Sequence, residues 1–275
     1  MRHRLIAPAG WTRICITLAL LQLSCLTAVP APAADLTVKQ VIERLLQSSP
    51  GRVADLSALD LTYLDLSDLD FRRANLAGAD LFGSDLSRAN LSGANLSNAR
   101  LDRTIIIGTN FAEANLSNAS LLRPAAFSSY EVRAEEAPRF AGADLSGARI
   151  FGRFSGGDWH GANLSAVRMG TDRSERQLLS SVFRTDLADC NLSGANLAGA
   201  DLYGALLAFA DLTNANLSSA MLVGVDLSRA DLTGADLTGA DLTGADLDGT
   251  ILRNVTGLNQ TRGLETARNR TKAIE

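Results

Sequence analysis

"ADLTGADLTGADLTGADLDG", residues 230 to 249, repeats one five-residue phrase four times. Five residues of α-helix turn the chain through about 500°, so the leucines would precess around the surface and form no stripe. Along one continuous strand an odd period would alternate them between faces. A short extended segment resolves both problems. The small residue and the leucine two places later then share one face, with Asp or Asn between them pointing outward. A turn at Ser/Thr-Gly must next redirect the chain so that the following pair also faces in. Glycine suits such a turn, and Asp or Asn can hydrogen-bond nearby backbone. Repetition winds the chain into a coil whose turns stack at strand spacing.

The frame extends far beyond this stretch. A marker Leu, or its substitute, falls at every fifth residue from Leu56 to Leu121 and again from Leu187 to Leu252, with Val182 extending the second run. Between the runs lie Phe140, Leu145 and Ile150 and then, after a step of four, Phe154, Trp159, Leu164 and Met169. A disordered low-complexity tract would not keep a large apolar residue in such a frame.

This tandem A(D/N)LxG pattern resembles the pentapeptide-repeat family over roughly residues 54 to 257, less the breaks. The resemblance implies an all-β chain, a right-handed quadrilateral parallel β-helix with four pentapeptides per coil. It also implies about nine coils and a rod of roughly 40 Å. Each buried marker then contributes roughly 1.5–3 kcal/mol before chain entropy is subtracted. Such a narrow interior leaves no ligand cavity.

The remaining segments read as ends and breaks. Residues 1–33 have the pattern of a signal peptide. Arg2, Arg4 and Arg13 precede the apolar run Ile14–Val29, and Ala31-Pro32-Ala33 supplies a small-x-small cleavage site. That run is too short to span a bilayer, which needs about 20 residues. The expected location is periplasmic or secreted, after cleavage near Ala33, with no membrane span in the mature form. Gln22-Leu23-Ser24-Cys25 matches a lipoprotein processing site only in part, because Gln22 stands where Leu is expected.

Cleavage removes three of the 26 Lys and Arg and none of the 30 Asp and Glu, leaving a net charge of −7. That argues against non-specific binding to nucleic acid or to anionic membrane. Cys190 alone remains, so no intrachain disulfide can form. Residues 35–50 read as an N-terminal capping helix, with a Thr37/Gln40 capping box and Pro50-Gly51 after it. The β-helix is expected over 51–121, 140–171 and 182–257. Protruding loops are expected at 122–139 and 172–181, and a final irregular coil or short helix at 258–275.

The chemistry is sparse. Rows of outward Asp solubilise a rod and form its turns. Trp159 is a bulky core residue and His160 a surface one. No catalytic residue, cofactor site or metal site is expected, and the chain reads as a non-enzyme.

With residues 20 apart stacked, Phe183, Tyr203 and Val223 fall in one column, and Leu206, Phe209 and Met221 take outward positions nearby. These six residues form a candidate partner contact, a contact with a second copy, or the floor beneath loop 172–181. Tyr130, Arg133, Glu135 and Glu136 are candidate loop contacts, since insertions in a solenoid bulge outward. The functional expectation is an exported interaction or structural module with an unknown protein partner or self-association. The alternative is a DNA mimic that inhibits an enzyme such as gyrase, as in some members of the family. The Asp226–Asp246 pair favours it; the export signal and the neutral column Asn75, Asn95, Asn115 weigh against it.

Overall fold

The computed structural model describes residues 34–48, 52–129, 131, 133–170 and 184–274. The signal segment, Pro50-Gly51 and loop 172–181 lie outside them.

Each phrase folds as one side of a square. In the phrase at 74–78, Ala74 and Leu76 are buried and Asn75 between them faces out. The Asn75 N–H donates to the Ala54 carbonyl at 2.9 Å, and its own carbonyl accepts from the Leu56 N–H at 2.7 Å. The Ala79 N–H closes the corner onto the Leu76 carbonyl at 3.0 Å. Gly78 stands third in that turn at φ 67°, where a Cβ would be strained. The outward residue fixes the corner. Asp80 Oδ1 accepts the Phe82 N–H at 2.9 Å, and Asp231 Oδ1 accepts the Thr233 N–H at 2.8 Å. That side-chain turn explains why the middle of the phrase is Asp or Asn.

Four columns of outward residues run along the solenoid. One comprises Asp55, Asn75, Asn95, Asn115, Asp144, Asn163, Asn196, Asn216, Asp236 and Thr256, linked by parallel bridges. Ten rungs, one more than expected, make a rod of about 43 Å at ~4.8 Å per coil. Along this column the Asn side chains also bond each other. The Asn95 amide donates to Asn75, Asn196 to Asn163 and Asn216 to Asn196, each at 3.2 Å.

The first break is smaller than the sequence suggested. β1 (Ser120–Leu122) pairs in parallel with β2 (Arg149–Phe151). Ala125 bridges Ile105, and Ala126 is buried in the marker slot. The coil therefore runs past 122 and the excursion begins at Phe127, a correction to the expected loop. Pro124 in the small-residue slot and Ala126 in the leucine slot disguise a regular side of the square. The chain rejoins where the Gly108 N–H donates to the Glu136 carbonyl at 2.6 Å and Arg139 bridges Asn110. Arg139 is thus 29 residues from its neighbour, while the next step, Arg139 to Asp158, is 19. The four-residue step from Ile150 to Phe154 accounts for the shortening. Around these irregular coils the core turns aromatic. Phe140 stacks on Phe111 at 4.9 Å and on Trp159 at 4.0 Å, with Phe154 edge-on to Trp159 at 5.6 Å.

The two ends differ. The helix α1 (Val38–Leu46) starts at Thr37, whose side chain and that of Gln40 form a reciprocal capping box. Val41 is fully buried. The Asp35 N–H donates to the Asp60 carbonyl at 2.7 Å, and Arg44 Nη1 donates to the Asp55 carbonyl at 3.0 Å. In the last coil the bridging residues Thr256, Arg262, Arg268 and Ile274 are six apart. The extra residue folds each corner into a 3-10 turn, at Leu258–Gln260, Leu264–Thr266 and Arg270–Lys272. These turns bond locally, as in Gln260 N–H to Gly257 O at 2.8 Å, and present less open edge to another strand. Gly263 is required there: a Cβ on it would lie 2.5 Å from Thr243 Cα.

Candidate functional site

Marker leucines fill the interior, so surface features carry whatever the chain binds. Tyr203 sits at a corner, 36% exposed, its N–H held by Asp201 Oδ1 at 3.1 Å. Leu206 follows on the next side, half-buried between Asp186 and Asp226 in its column. Phe209 takes the following corner at φ 61°, 53% exposed, with the Arg229 guanidinium 5.5 Å from its ring centroid. One coil on, Val223 stacks beneath Tyr203, and its carbonyl accepts the Gly204 N–H at 2.9 Å. Met221 lies between Asp201 and Asp241 in its own column. The structure thus brings Tyr203, Leu206 and Phe209 across one side of a single coil, with Val223 and Met221 adjoining. Leu206 and Met221 each stand between two acids, Leu206 between Asp186 and Asp226 and Met221 between Asp201 and Asp241, so the surface is a mixed one. Phe183 and Tyr130 lie outside the described residues.

The loop residues divide. Arg133 and Glu135 are exposed. Glu136 is committed to the loop itself, because its carboxylate accepts the Ser128 N–H at 2.9 Å and the Ser128 hydroxyl at 2.7 Å. The backbone bond from Ser128, then its hydroxyl, hold the Glu136 carboxyl below the usual range. Arg153 reinforces the fastening. Its Nη1 donates to the Ser129 carbonyl at 3.3 Å and its guanidinium lies 5.0 Å from the Phe127 ring centroid.

His160 is exposed, with Nδ1 2.9 Å from Asp158 Oδ1, while Trp159 is buried. Among the described residues the Trp159 Nε1–H finds no oxygen or nitrogen acceptor. Its neighbour Cys190 donates from Sγ to the Phe154 carbonyl at 3.1 Å, and burial pushes the thiol up to about 12. Among the described residues no group of three or more His, Cys, Asp or Glu is arranged to hold a metal. A cleft of about 620 Å³ opens beside α1, between Ile42, Leu45 and Leu69 and the Asp70–Arg72 ion pair.

A second surface cluster lies near the N-terminal end. Tyr63, 71% exposed, meets Phe82 edge-on at 5.5 Å, and the Arg100 guanidinium lies 4.3 Å from the Phe82 ring centroid. Arg100 also pairs with Asp80 at 3.1 Å and Asp102 at 3.3 Å. The 20-residue stacking rule would have found it, since Tyr63, Phe82 and Arg103 share one corner of successive coils.

The profile for pentapeptide repeats matches eight copies, within residues 54–88, 84–121, 185–222 and 215–254, half of the chain. The chain belongs to the pentapeptide-repeat family. Pentapeptide-repeat proteins form right-handed quadrilateral β-helices and are generally non-enzymatic structural or interaction modules. Among solved structures, the chain is similar to HetL from the cyanobacterium Nostoc sp. strain PCC 7120, a pentapeptide repeat protein involved in heterocyst differentiation regulation. The two are 27% identical over 87% of this chain and 94% of HetL, with a TM-score of 0.53. Rfr23 from the cyanobacterium Cyanothece 51142 is 29% identical over 44% of this chain and 90% of its own, with a TM-score of 0.24. QnrB1, a plasmid-mediated fluoroquinolone resistance protein, is 18% identical over 71% of this chain and 85% of its own, with a TM-score of 0.34. No curated protein matches the sequence.

Proposed function

We propose that this pentapeptide-repeat protein is an exported, non-enzymatic interaction module that binds a protein partner where the repeat phrase fails. The observation that carries the reading is the group Tyr203, Leu206 and Phe209 on one coil side, with both aromatic rings exposed at its corners. Aromatic side chains supply a large contact area, and here they stand with Leu206, Val223 and Met221 in one apolar group. The exposed Arg133 and Glu135 of the 127–136 loop provide a second, polar contact. In this reading α1 caps the first coil by occupying edge groups at Asp55 and Asp60. Residues 1–33 direct export and are removed after Ala33.

The likeness to HetL, a regulatory protein built on the same repeat, fits a role through binding. DNA mimicry would call for unbroken acidic columns. Here one column is an asparagine ladder, and another carries Arg100, Arg149 and Arg168.

Two measurements test the proposal. Fractionation of the producing cell and N-terminal sequencing should place the chain outside the cytoplasm, beginning at Ala34. An uncleaved cytoplasmic chain would defeat the export reading. The double variant Tyr203→Ser/Phe209→Ser should lose its partner while keeping its unfolding midpoint, and unchanged binding would remove this surface from consideration.

A further inference from the structure

One outward column has a charge order that no other face shares. Reading along the bridges, its first six rungs run Asp60, Asp80, Arg100, Ser120, Arg149, Arg168, before the column continues through Asp201, Met221, Asp241 and Arg262. Reversed, the same six rungs read Arg, Arg, Ser, Arg, Asp, Asp. Laid antiparallel on itself, the column sets Asp60 against Arg168, Asp80 against Arg149, and Arg100 against Ser120. Every opposed pair is then an acid with a base, or a base with a hydroxyl. We propose that this face is a self-association surface on which two copies pair antiparallel about a two-fold axis between the Arg100 and Ser120 rungs.

Three further observations support it. Arg149 and Arg168 are exposed and stacked on adjacent rungs, and neither side chain has an ion pair or hydrogen bond among the described residues. Two like charges at strand spacing repel each other. Asp201 on the next rung offsets Arg168 on one side, while Arg149, between Ser120 and Arg168, gains most from an external anion. The second observation is pitch. The arginines repeat at ~4.8 Å, and the acid column of another copy repeats at the same interval because the same backbone bonds set it. An extended acidic peptide offers same-side carboxylates only every ~6.6 Å. The third is relief. The corner preceding this face carries Ser97, Ser117, Ser146 and Ser165, with Asn98 and Asn118 as its largest side chains on these rungs, so a flat neighbour can approach. On the other corner the two-fold sets the Phe82 rung opposite the Phe151 rung, aromatic against aromatic. An isologous contact of this kind closes with two copies and does not propagate.

Six rungs span only about 24 Å, so the contact falls below the ~800 Å² per partner of a standard stable interface. The dimer is accordingly weak and salt-sensitive, because its pairs lie at the surface. The test is sedimentation equilibrium of the full chain at about 100 µM in low salt. It is repeated with Arg149→Asp/Arg168→Asp, with Asp60→Arg/Asp80→Arg, and with an equimolar mixture of the two variants. Each substitution installs a residue that this column already carries on other rungs, and circular dichroism verifies the fold. Wild type should dimerise and dissociate on raising salt to about 0.5 M. Each double variant should weaken association at least tenfold by opposing like charges. The mixture should restore it as a heterodimer, since all four acid–base pairs are then complementary. A wild-type monomer at ~100 µM in low salt, variants that dimerise as wild type does, or a mixture that stays monomeric would each overturn the proposal. Should a variant fail to fold, the wild-type salt series decides, and a salt-insensitive dimer counts against it.

Discussion

Replacing Leu217 by Ala tests whether the backbone ladder holds the interior open. Leu217 is fully buried, with Leu197 and Leu237 above and below it in its column. Removing its three outer carbons loses roughly 2.4 kcal/mol of transfer free energy, at ~0.8 kcal/mol per carbon. The void left is roughly 80 Å³, which at ~24 cal/mol per Å³ adds about 2 kcal/mol if it stays open. It should stay open. The flanking coils are fixed by bonds from the Leu197 N–H to the Asn216 carbonyl at 2.7 Å and from the Leu217 N–H to the Asp236 carbonyl at 2.8 Å. The expected loss is therefore about 4–5 kcal/mol, at the upper end for such substitutions. Leu252→Ala is the control. Leu252 is 6% exposed near the end of the rod, where the irregular last coil can settle inward, so the loss there should be about 2–3 kcal/mol. Urea unfolding of the full chain followed by far-ultraviolet circular dichroism, with unchanged slope, measures both. Equal losses at the two positions, or less than about 3 kcal/mol at Leu217, would refute a rigid, ladder-held core.

Other expectations follow from the corners, the acids and the loop. Ala166 holds φ 53° in a corner where glycine is common, so Ala166→Gly should raise stability by roughly 0.5–1 kcal/mol, read as a higher urea midpoint. The carboxyls of Asp241, bonded by Thr243, of Asp70, bonded by Arg72, and of Asp68, bonded by Arg88, are held below their usual value. Their contribution is complete above the unfolded carboxyl pKa and is lost as pH falls through the lowered folded values. The thermal midpoint should therefore drop below about pH 4 and stay flat between pH 5 and 8. Glu136→Ala releases Ser128, so limited proteolysis should cut within 127–136 much faster, with the global unfolding midpoint unchanged. Cys190, buried and with its thiol pushed up to about 12, should not react with a thiol reagent at pH 8 until the chain unfolds.

The sequence spoke plainly wherever the phrase was intact. The five-residue frame selects the residues that the structure buries, from Leu56 to Leu252, and puts Trp159 inside and His160 outside. It was silent where one slot holds an unusual residue. Ala126 serves as a marker with a single methyl, so no large apolar residue marks the coil beyond 121. The last coil adds one residue per side; Gly257, Gly263 and Asn269 recur at six, but a six-residue period does not by itself show that such a phrase still bridges a five-residue one. Tyr63 and Phe82 leave the marker frame undisturbed, and only the 20-residue stacking that also groups Tyr203 with Val223 brings them together. The self-complementary column is the clearest case of what spacing alone conceals. Counting by 20 from Ser120 arrives at Phe140, a core residue, whereas the inserted loop makes Arg149 the true neighbour of Ser120. The shortened coil then makes Arg168 the neighbour of Arg149. An insertion of nine residues followed by a deletion of one brings two arginines into an acid-bearing column and leaves the core in register, since each side of the square keeps its own inward pair. Irregularity in such a solenoid thus changes the surface order of charges, while the core keeps its register and answers the break locally with Phe111, Phe140, Phe154 and Trp159. A surface specific for another rod can arise by insertions and deletions, with core side chains exchanged only at the coils where they occur.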